Sequence, residues 1–201
     1  GHATWGHDFK MIVDPQGDST GFHRDLERFT PQQREKWLAA YTPKNEAFKA
    51  SYPHLSDEQI AASNTVMGLD TQLIADGTYF IVEEDGRIAG CGGWSHRATL
   101  YGGDHSKDLR DPAPLDPATD AARIRAMYTH PAFARRGVGR LVMNLCEDAA
   151  RAAGFRRAEM MATLSGEPLY RACGYAPIER IMALGPNGVP VPLIRMGRSL
   201  D

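Results

Sequence analysis

Two neighbouring stretches of the chain differ in the period of their apolar and polar residues. Residues 122–129 alternate, with Ile124 on one side and Arg125 on the other, which is the period of a β-strand. In the stretch after the next turn, apolar residues recur at helical spacing, at Val138, Leu141, Val142, Leu145, Cys146, Ala149, Ala150 and Ala153. Glu147 falls on the polar face, and Gly154 is typical of the residue that follows a helix. The pattern predicts a strand that leads through a glycine-containing turn into a helix.

Short apolar runs bounded by turn residues predict further strands. They cover residues 9–13, 78–83, 87–94, 156–163, 178–183 and 191–196. Asp85-Gly86 joins the second and third of these as a β-hairpin, because Asp-Gly adopts the tight turn that a hairpin needs. Residues 185–188, Gly-Pro-Asn-Gly, join the last two in the same way. The pattern therefore predicts a mixed α/β fold.

Capping signals predict up to three short helices between residues 31 and 75. Thr30-Pro31 and Thr42-Pro43 each pair an N-cap residue with a proline at the first helical position. Ser56-Asp-Glu-Gln59 has the pattern of a capping box. Residues 96–120 are rich in Gly, Asp, Pro and His, and we interpret them as a long loop of the kind that often covers a functional site.

The composition favours a single domain without a nucleic-acid or membrane partner. With 201 residues, of which 42% are hydrophobic, the chain can bury one substantial core without a second domain. Its formal net charge of -2 argues against a broad surface for polyanions. The sequence contains no apolar run of about 18 residues, so no membrane span is expected. Residues 1–11 are interpreted as a candidate tag remnant or disordered start.

The cysteines indicate a reducing compartment and no metal site. Cys91, Cys146 and Cys173 cannot all pair within one chain, and none belongs to a Cys-x-x-Cys motif. Together with the scattered histidines they lack the spacing of zinc ligands. Cys146 lies on the apolar side of its helix, which favours core packing. We therefore expect a cytoplasmic protein that binds no metal.

The turn between the predicted strand and helix has the features of an anion site. Gly137 and Gly139 lack β-carbons, so main-chain N–H groups can close around an anion at the start of the helix. The turn also carries three cationic side chains, and these favour a phosphorylated ligand: Arg135, Arg136 and Arg140. The turn does not match the P-loop motif of nucleotide-binding proteins, because no Lys-Ser/Thr pair follows Gly139. It does not match the dinucleotide-binding motif either, because Val142 occupies the position of that motif's third small residue. The alternative is an ordinary strand-to-helix turn with solvated arginines.

The spacing Ala134-Arg-Arg-Gly-Val-Gly139 resembles the acetyl-CoA loop of the GCN5-related N-acetyltransferase (GNAT) family, usually Gln/Arg-x-x-Gly-x-Gly/Ala, from which only Ala134 departs. Downstream, Leu164-Ser-Gly-Glu-Pro-Leu-Tyr-Arg-Ala-Cys-Gly-Tyr175 resembles the family's later motif, a short helix with a tyrosine before a Gly-aromatic pair. Ser165 is expected to cap this helix and Gly174 to end it. The resemblance implies an α/β fold with a mixed, mostly antiparallel central sheet flanked by helices. It also implies a single acyltransferase domain over residues 12–201.

The resemblance further implies acetyl-CoA as the cosubstrate and roles for individual residues. The backbone of Met127, Tyr128 and Thr129 would hold the pantetheine arm, and one amide would polarise the thioester oxygen. The pyrophosphate would bind the segment formed by Arg135, Arg136, Gly137, Val138, Gly139 and Arg140. Tyr170 would act as the general acid, because a phenol with an ordinary pKa of about 10 stays protonated at pH 7 and can donate to a thiolate. Packing or a contact to CoA are the alternative roles for Tyr170.

The group that removes the proton of the attacking amine is not evident. The strand at 122–129 carries no carboxylate, where some relatives place a glutamate, so proton removal through ordered water or another element is expected. Titratable candidates elsewhere, each more typical of a structural or solvent-facing role, are Glu83, His96, His105 and His130. A covalent mechanism through Cys173 would need an activating base beside it. Direct transfer in a ternary complex is therefore favoured.

We expect an acetyl-CoA-dependent N-acetyltransferase that acts on a small-molecule or peptide amine. The acceptor classes that stay open are polyamines, amino acids, antibiotics, small metabolites and protein termini. A non-catalytic sensor or regulatory module that binds acyl-CoA is the alternative, since no base is evident. The C-terminal strands are candidates for homodimer contacts.

Overall fold

The computed structural model describes residues 9–12, 56–63, 70–85, 87–104, 106–184 and 188–201. Its strands are β1 (Phe9–Ile12), β2 (Tyr79–Glu84), β3 (Arg87–Ser95), β4 (Ala122–Thr129), β5 (Arg157–Thr163), β6 (Ala176–Leu184) and β7 (Pro190–Ser199). Its helices are α1 (Asp57–Ser63), α2 (Thr71–Ala75), α3 (Val138–Ala152) and α4 (Glu167–Ala172). The helices predicted after Thr30 and Thr42 lie outside the described residues.

The strands form one seven-stranded sheet in the order β1-β2-β3-β4-β5-β7-β6. β4 and β5 run parallel, whereas every other neighbouring pair is antiparallel. The hairpin predicted around Asp85 is confirmed, with Glu84 paired to Arg87 across the turn. The expected mixed, mostly antiparallel sheet with flanking helices is therefore confirmed. Residues 9–11, interpreted from the sequence as part of a tag remnant or disordered start, belong to β1 and pair with β2.

Helix α3 packs closely on β3 because that strand is rich in glycine. A β-carbon added at Gly90 would lie 2.6 Å from Val138 Cγ1, and one added at Gly92 would lie 2.8 Å from Val142 Cγ1. The missing side chains let the first turns of α3 approach the sheet. Val142 and Cys146 are completely buried in the core between α3 and the sheet, which confirms the predicted core position of Cys146.

Three of the predicted helix boundaries are confirmed by their hydrogen bonds and backbone angles. The N–H of Ser56 donates to Gln59 Oε1 at 3.0 Å, and the N–H of Gln59 donates to Ser56 Oγ at 3.2 Å. These reciprocal bonds form the capping box at the start of α1. Gly154 and Gly174, which follow the C-caps of α3 and α4, have φ angles of +92° and +89°. Glycine adopts this left-handed conformation without the steric cost of a β-carbon.

The predicted cap at Ser165 is wrong. Gly166 is the residue that immediately precedes α4, and its N–H donates to Thr163 Oγ1 at 3.2 Å. Ser165 Oγ also lies 3.2 Å from Thr163 Oγ1. The hydroxyl at the end of β5 therefore organises the turn into α4, two residues earlier than the sequence pattern suggested.

Glu147 lies in the interior, although the helical pattern placed it on the polar face of α3. Its side chain is 4% exposed, and its Oε2 lies 3.2 Å from Arg198 Nη1 and 3.4 Å from Arg151 Nη2. Two guanidinium groups compensate a carboxylate that has lost most of its water. The pattern failed here because Arg198 comes from β7, which is distant in the sequence from α3.

The long loop predicted at residues 96–120 is fastened to α2 and to itself. Arg97 donates to both carboxylate oxygens of Asp76, from Nε to Oδ2 at 2.7 Å and from Nη2 to Oδ1 at 2.8 Å. Further along, the N–H of Thr99 donates to Asp111 O at 2.9 Å, and Arg97 forms a β-bridge with Pro114. These contacts hold the described parts of the loop in a defined position beside the sheet.

We expect Asp76→Asn to lower the free energy of unfolding by about 1 kcal/mol at pH 7. Hydrogen bonds from Arg97 hold the pKa of Asp76 below its ordinary value of 3.8, although burial opposes them. The unfolded chain therefore binds this proton more readily than the folded chain does. The resulting stabilisation is present above the ordinary pKa and is lost as the pH falls through the lower pKa of the folded state. Urea denaturation of both proteins should show their difference shrinking below about pH 4; a constant difference would contradict the assignment.

The second predicted hairpin is confirmed and is longer than predicted. β6 and β7 pair from Ala176–Gly197 to Leu184–Pro190. β6 forms the edge of the sheet and exposes apolar side chains, with Met182 at 57% and Leu184 at 73%. A homodimer through the C-terminal strands stays a prediction.

Candidate active site

Strands β4 and β5 separate near the middle of β4. Their parallel pairing covers residues 122–124 and stops at Ile124. On the other side of β4, the register with β3 shifts, and Ala126 has a φ angle of +51°. Such a bulge bends a strand and interrupts its ladder. The backbone of β4 beyond Ile124 therefore borders an opening between two strands of the sheet.

A cavity of about 130 Å³ lies at this opening. Its walls come from β4, β5, β7, α4 and residues 100–103 of the long loop. Met127, Tyr128 and Tyr170, which the sequence assigned to one site, all line it. Thr129 lies at the end of β4, where its Oγ1 is 3.5 Å from the position that a β-carbon on Gly139 would take. The fold thus brings the end of β4, the glycine turn and the tyrosine-bearing helix together.

Tyr170 is positioned by the start of α4. A β-carbon on Gly166 would lie 2.7 Å from Tyr170 Cε2, so the ring packs directly over that glycine. The N–H of Tyr170 donates to Gly166 O at 3.2 Å. The adjacent Leu169 contacts the glycine turn, since a β-carbon on Gly139 would lie 2.7 Å from its Cδ2. Helix α4 therefore holds the phenol at the cavity and also touches the first turn of α3.

The predicted turn into α3 has the backbone of an anion site. Arg135 has a φ angle of +62° and Gly137, the N-cap of α3, has one of +88°. The N–H of Leu141 donates to Gly137 O at 3.0 Å and so makes the first bond of the helix. The preceding N–H groups lie before that first bond, where the positive end of the helix dipole also lies. This arrangement suits the phosphate group expected from the sequence.

The three arginines around this turn have different surroundings. Arg135 is exposed. Arg136 pairs with Glu84 of β2 at 2.6 Å, and its guanidinium lies over the Phe133 ring at 5.4 Å. Arg140 donates from Nη2 to Ala172 O at 3.0 Å, at the end of α4. Arg140 therefore adds positive charge beside the turn and ties it to α4, whereas the charge of Arg136 is compensated by Glu84 and the pair ties the turn to β2.

The histidines proposed as candidate bases have structural contacts away from the cavity walls. His130 accepts the N–H of Ala132 at Nδ1, at 3.1 Å, and packs edge-on against Phe133. His96 packs edge-on against Trp94, with ring centroids 6.1 Å apart. Glu83 lies in β2, and His105 lies outside the described residues. None of the described candidates lines the cavity, which agrees with their predicted structural roles.

The cysteines are free thiols in the interior of the described structure. Burial raises the pKa of Cys91 to about 12 and also raises the pKa values of Cys146 and Cys173. Cys173 packs in the core and does not line the cavity, so the structure places no thiol among the described cavity walls. Within the described ranges, no group of three His, Cys, Asp or Glu residues could hold a metal ion. No helix in those ranges combines the length and apolar character that a membrane crossing requires.

A buried ion pair beside the cavity was missed by the sequence analysis. Arg125 was placed on the polar side of β4, yet its side chain is only 4% exposed and its Nη2 lies 2.8 Å from Asp70 Oδ2. Arg110 approaches the other oxygen of Asp70 at 3.0 Å. Burial lowers the pKa of Arg125, and the charge of Asp70 opposes that change. An arginine flanked by apolar residues in a strand is the one signal that could have indicated a buried partner.

Comparison with models of known protein families identifies one family. A model described as the acetyltransferase (GNAT) family matches residues 33–175. No curated protein sequence matches the chain. Three similar solved structures are a GCN5-related N-acetyltransferase from Rhodopseudomonas palustris, the ribosomal-protein-S18-alanine N-acetyltransferase from Escherichia coli, and N-acetylglutamate synthase from Neisseria gonorrhoeae in complex with coenzyme A and N-acetyl-glutamate.

These structural likenesses are distant. The Rhodopseudomonas protein is 16% identical, with 99% of both chains covered and a TM-score of 0.47. The Escherichia enzyme is 13% identical, with 73% of this chain and 91% of that one covered and a TM-score of 0.46. The Neisseria enzyme is 18% identical, with 74% of this chain and 28% of that one covered and a TM-score of 0.45. Because the family model covers more than half of the residues, the chain belongs to the acetyltransferase (GNAT) family.

Proposed function

We propose that this protein is an N-acetyltransferase that moves an acetyl group from acetyl-CoA to an amine by direct attack in a ternary complex. One observation carries the proposal: the opening between β4 and β5 and Tyr170 border one cavity, and the glycine turn before α3 lies against Thr129 at the end of β4 and Leu169 beside Tyr170. An anion site, an unpaired strand edge and a phenol are the three elements that such a transfer needs. Core packing alone gives no reason for these three elements to be neighbours.

The donor is assigned to the turn and the strand edge. The N–H groups between Arg135 and Arg140 precede the first intrahelical bond of α3 and are suited to a pyrophosphate. The pantetheine arm is assigned to the backbone of Met127, Tyr128 and Thr129. Pairing between β4 and β5 has already ended at these residues, so an extended ligand can pair with β4 as an added strand would.

The chemical step uses two groups of the chain. Acetyl-CoA supplies the acetyl group as a thioester. The amine nitrogen forms a bond to the carbonyl carbon, the carbon–sulfur bond breaks, and the leaving sulfur takes the proton of the Tyr170 hydroxyl. The proton that the amine loses restores Tyr170, so the products are an amide and a free thiol. An N–H of β4 beside the bulge polarises the carbonyl oxygen.

The cavity also favours the reactive form of the acceptor. An amine with an ordinary pKa of about 10.4 is neutral in only about one of 2,500 molecules at pH 7, which costs about 4.6 kcal/mol. Apolar surroundings disfavour the ammonium form and lower its pKa. Asp70, the carboxylate in the described cavity wall, is already paired with Arg125 and Arg110. Desolvation by the cavity walls, with ordered water as the proton carrier, is therefore the proposed route to a neutral amine.

The proposal is tested by measuring thiol release from acetyl-CoA with a panel of amines, alongside calorimetric titration of acetyl-CoA. We expect binding, and turnover with at least one class of amine. If acetyl-CoA binds tightly and no amine is acetylated, the protein is instead a sensor or regulatory module that binds acyl-CoA. A complex in which the pyrophosphate lies away from residues 135–140 would overturn the assignment of the turn.

We expect Gly137→Ala to raise the dissociation constant of acetyl-CoA about tenfold. Alanine disfavours the φ angle of +88° at this position, so the turn relaxes and its N–H groups lose their common direction. Calorimetric titration measures the effect. The strain should also lower the free energy of unfolding by about 1 kcal/mol.

Gly154→Ala is the matched control for this variant. Gly154 has a similar φ angle of +92° at the other end of α3, and a β-carbon there would make an ordinary contact with Pro117 at 3.5 Å. The control should lose a similar amount of stability and retain the affinity for acetyl-CoA. Equal affinities for the two variants would contradict the role of the turn.

The domain organisation and location are proposed on the same basis. The sequence predicts one acyltransferase domain over residues 12–201; because β1 begins at Phe9 and all described strands join a single sheet, we assign residues 9–11 to the same domain. The free, buried thiols of Cys91, Cys146 and Cys173 suit a reducing compartment, which supports the expected cytoplasmic location.

A further inference from the structure

The cavity beside Tyr170 has mainly apolar walls. Aliphatic and thioether residues from four different parts of the chain line it, namely Leu100, Ile124, Met127, Met160, Met161, Val191 and Leu193. Of the wall residues in the described parts of the chain, Asp70 and Arg125 are the ones that carry a charge. What these two residues do in the structure therefore decides which acceptor the cavity suits.

Asp70 and Arg125 neutralise each other's charge and help to hold the loop with residues 100–103, which lines the cavity. Their side chains are 2% and 4% exposed and lie 2.8 Å apart, and Arg110 adds a second guanidinium 3.0 Å from Asp70. Arg125 also donates to Gly102 O, within the loop that covers the cavity. Asp104 of the same loop accepts the N–H of Thr71 at 3.0 Å. The charges are thus used to fasten the loop onto β4 and α2.

This use of the charges has a consequence for recognition. Asp70 faces two guanidinium groups, so it is poorly placed to attract a second ammonium group of a polyamine. Arg125 faces Asp70 and a carbonyl oxygen, so it is equally poorly placed to hold the carboxylate of an amino acid. The other described wall residues are mostly apolar, and the hydroxyl-bearing ones among them, Tyr101, Tyr128, Thr163 and Tyr170, carry no charge; the walls therefore favour an uncharged, mainly apolar body.

We propose that the acceptor is a small monoamine whose body is an alkyl or aryl group, an inference that rests on the proposed acetyltransferase function. The cavity volume of about 130 Å³ is close to that of engineered apolar cavities of about 150 Å³ that bind benzene. The apolar body fills the space between β5, β7 and the loop. The amino group then points towards the bulge of β4 and Tyr170.

The first test compares amines that differ in charge and body. Purified protein is assayed by thiol release with acetyl-CoA and 2-phenylethylamine, spermidine or L-alanine. We expect kcat/KM for 2-phenylethylamine to exceed the other two values by about tenfold or more. A preference for spermidine or L-alanine would overturn the inference and leave the proposed function intact. Acetyl-CoA binding without turnover of any amine would overturn both.

The second test places a carboxylate in the cavity wall. Met161 lies on β5 and lines the cavity, whereas Met182 on β6 is 57% exposed and lies outside it. Met161→Glu should lower kcat/KM for 2-phenylethylamine about tenfold and shift the ratio of the two amines towards spermidine. Met182→Glu should leave both values within about twofold. An unchanged ratio in Met161→Glu, with the acetyl-CoA affinity retained as evidence of folding, would overturn the inference.

Discussion

Tyr170→Phe is expected to lower kcat about 100-fold and to leave the affinity for acetyl-CoA nearly unchanged. The substitution removes the hydroxyl that is proposed to protonate the leaving thiolate. It keeps the ring that packs over Gly166, so α4 and its contact between Leu169 and the glycine turn are preserved. Loss of an interaction made only in the transition state lowers kcat and kcat/KM by the same factor. Steady-state kinetics at saturating amine measure the effect, with calorimetry for acetyl-CoA.

Tyr175→Phe is the matched control. Tyr175 lies five residues later, is 2% exposed and packs in the core. Burial raises the pKa of its hydroxyl, which lies beside Glu147 and away from the cavity. This variant should keep kcat within about twofold. If both variants turn over like the wild type, Tyr170 packs or contacts CoA and another group protonates the thiolate.

Asp70→Asn is expected to lower the free energy of unfolding by about 3 kcal/mol. The amide would leave the buried guanidinium of Arg125 without a compensating charge, whereas Arg110 would keep Asp104 at 3.6 Å. Urea denaturation at pH 7 measures the loss. Because the same ion pair fastens residues 102–104 over the cavity, KM for the amine should rise while the affinity for acetyl-CoA changes little.

Two control variants distinguish the stability lost with the buried ion pair from the stability lost on removing any charged side chain. Asp148→Asn removes a carboxylate whose side chain is 74% exposed and which pairs with Arg151 at 2.7 Å, so its effect should fall within the error of the measurement. Replacing Asp70 and Arg125 together by leucine and methionine should cost less than the sum of the single changes, since no buried charge is then left alone. A loss as small for Asp70→Asn as for Asp148→Asn would show that the pair contributes little to stability.

The parts of the fold that the sequence predicted well are those set by neighbouring residues. The bounds of β4 and the hairpin at Asp85 follow from alternation and turn chemistry, which act over a few residues. Gly154 and Gly174 end their helices for a local reason as well. That the glycine turn and Tyr170 belong to one site was predicted only from the family resemblance, because no local sequence rule brings α3 and α4 together.

The failures share a different origin. Glu147 and Arg125 were placed on polar faces, yet both are buried because partners distant in the sequence compensate their charges. Periodicity records which positions are apolar, but it carries no information about pairing between remote segments. For the same reason, the pairing of Asp70 with Arg125 in the cavity wall was not predicted. The cap predicted at Ser165 is wrong on a smaller scale, since Gly166 directly precedes α4 and donates its N–H to Thr163 Oγ1.

Arg198 connects the far ends of the two helices that border the candidate site. Its Nη1 donates to Cys173 O at 2.6 Å, beyond the last residue of α4, and lies 3.2 Å from Glu147 in α3. The proposed donor turn begins α3, and Tyr170 belongs to α4. The Arg198 guanidinium on β7 therefore links α3 to α4, and Arg198 is not among the described residues that line the cavity. Separating the two helices at this point would break the ion pair of Arg198 with Glu147 or its hydrogen bond to Cys173 O, so β7 helps to hold the proposed donor turn and the proposed general acid at a fixed separation.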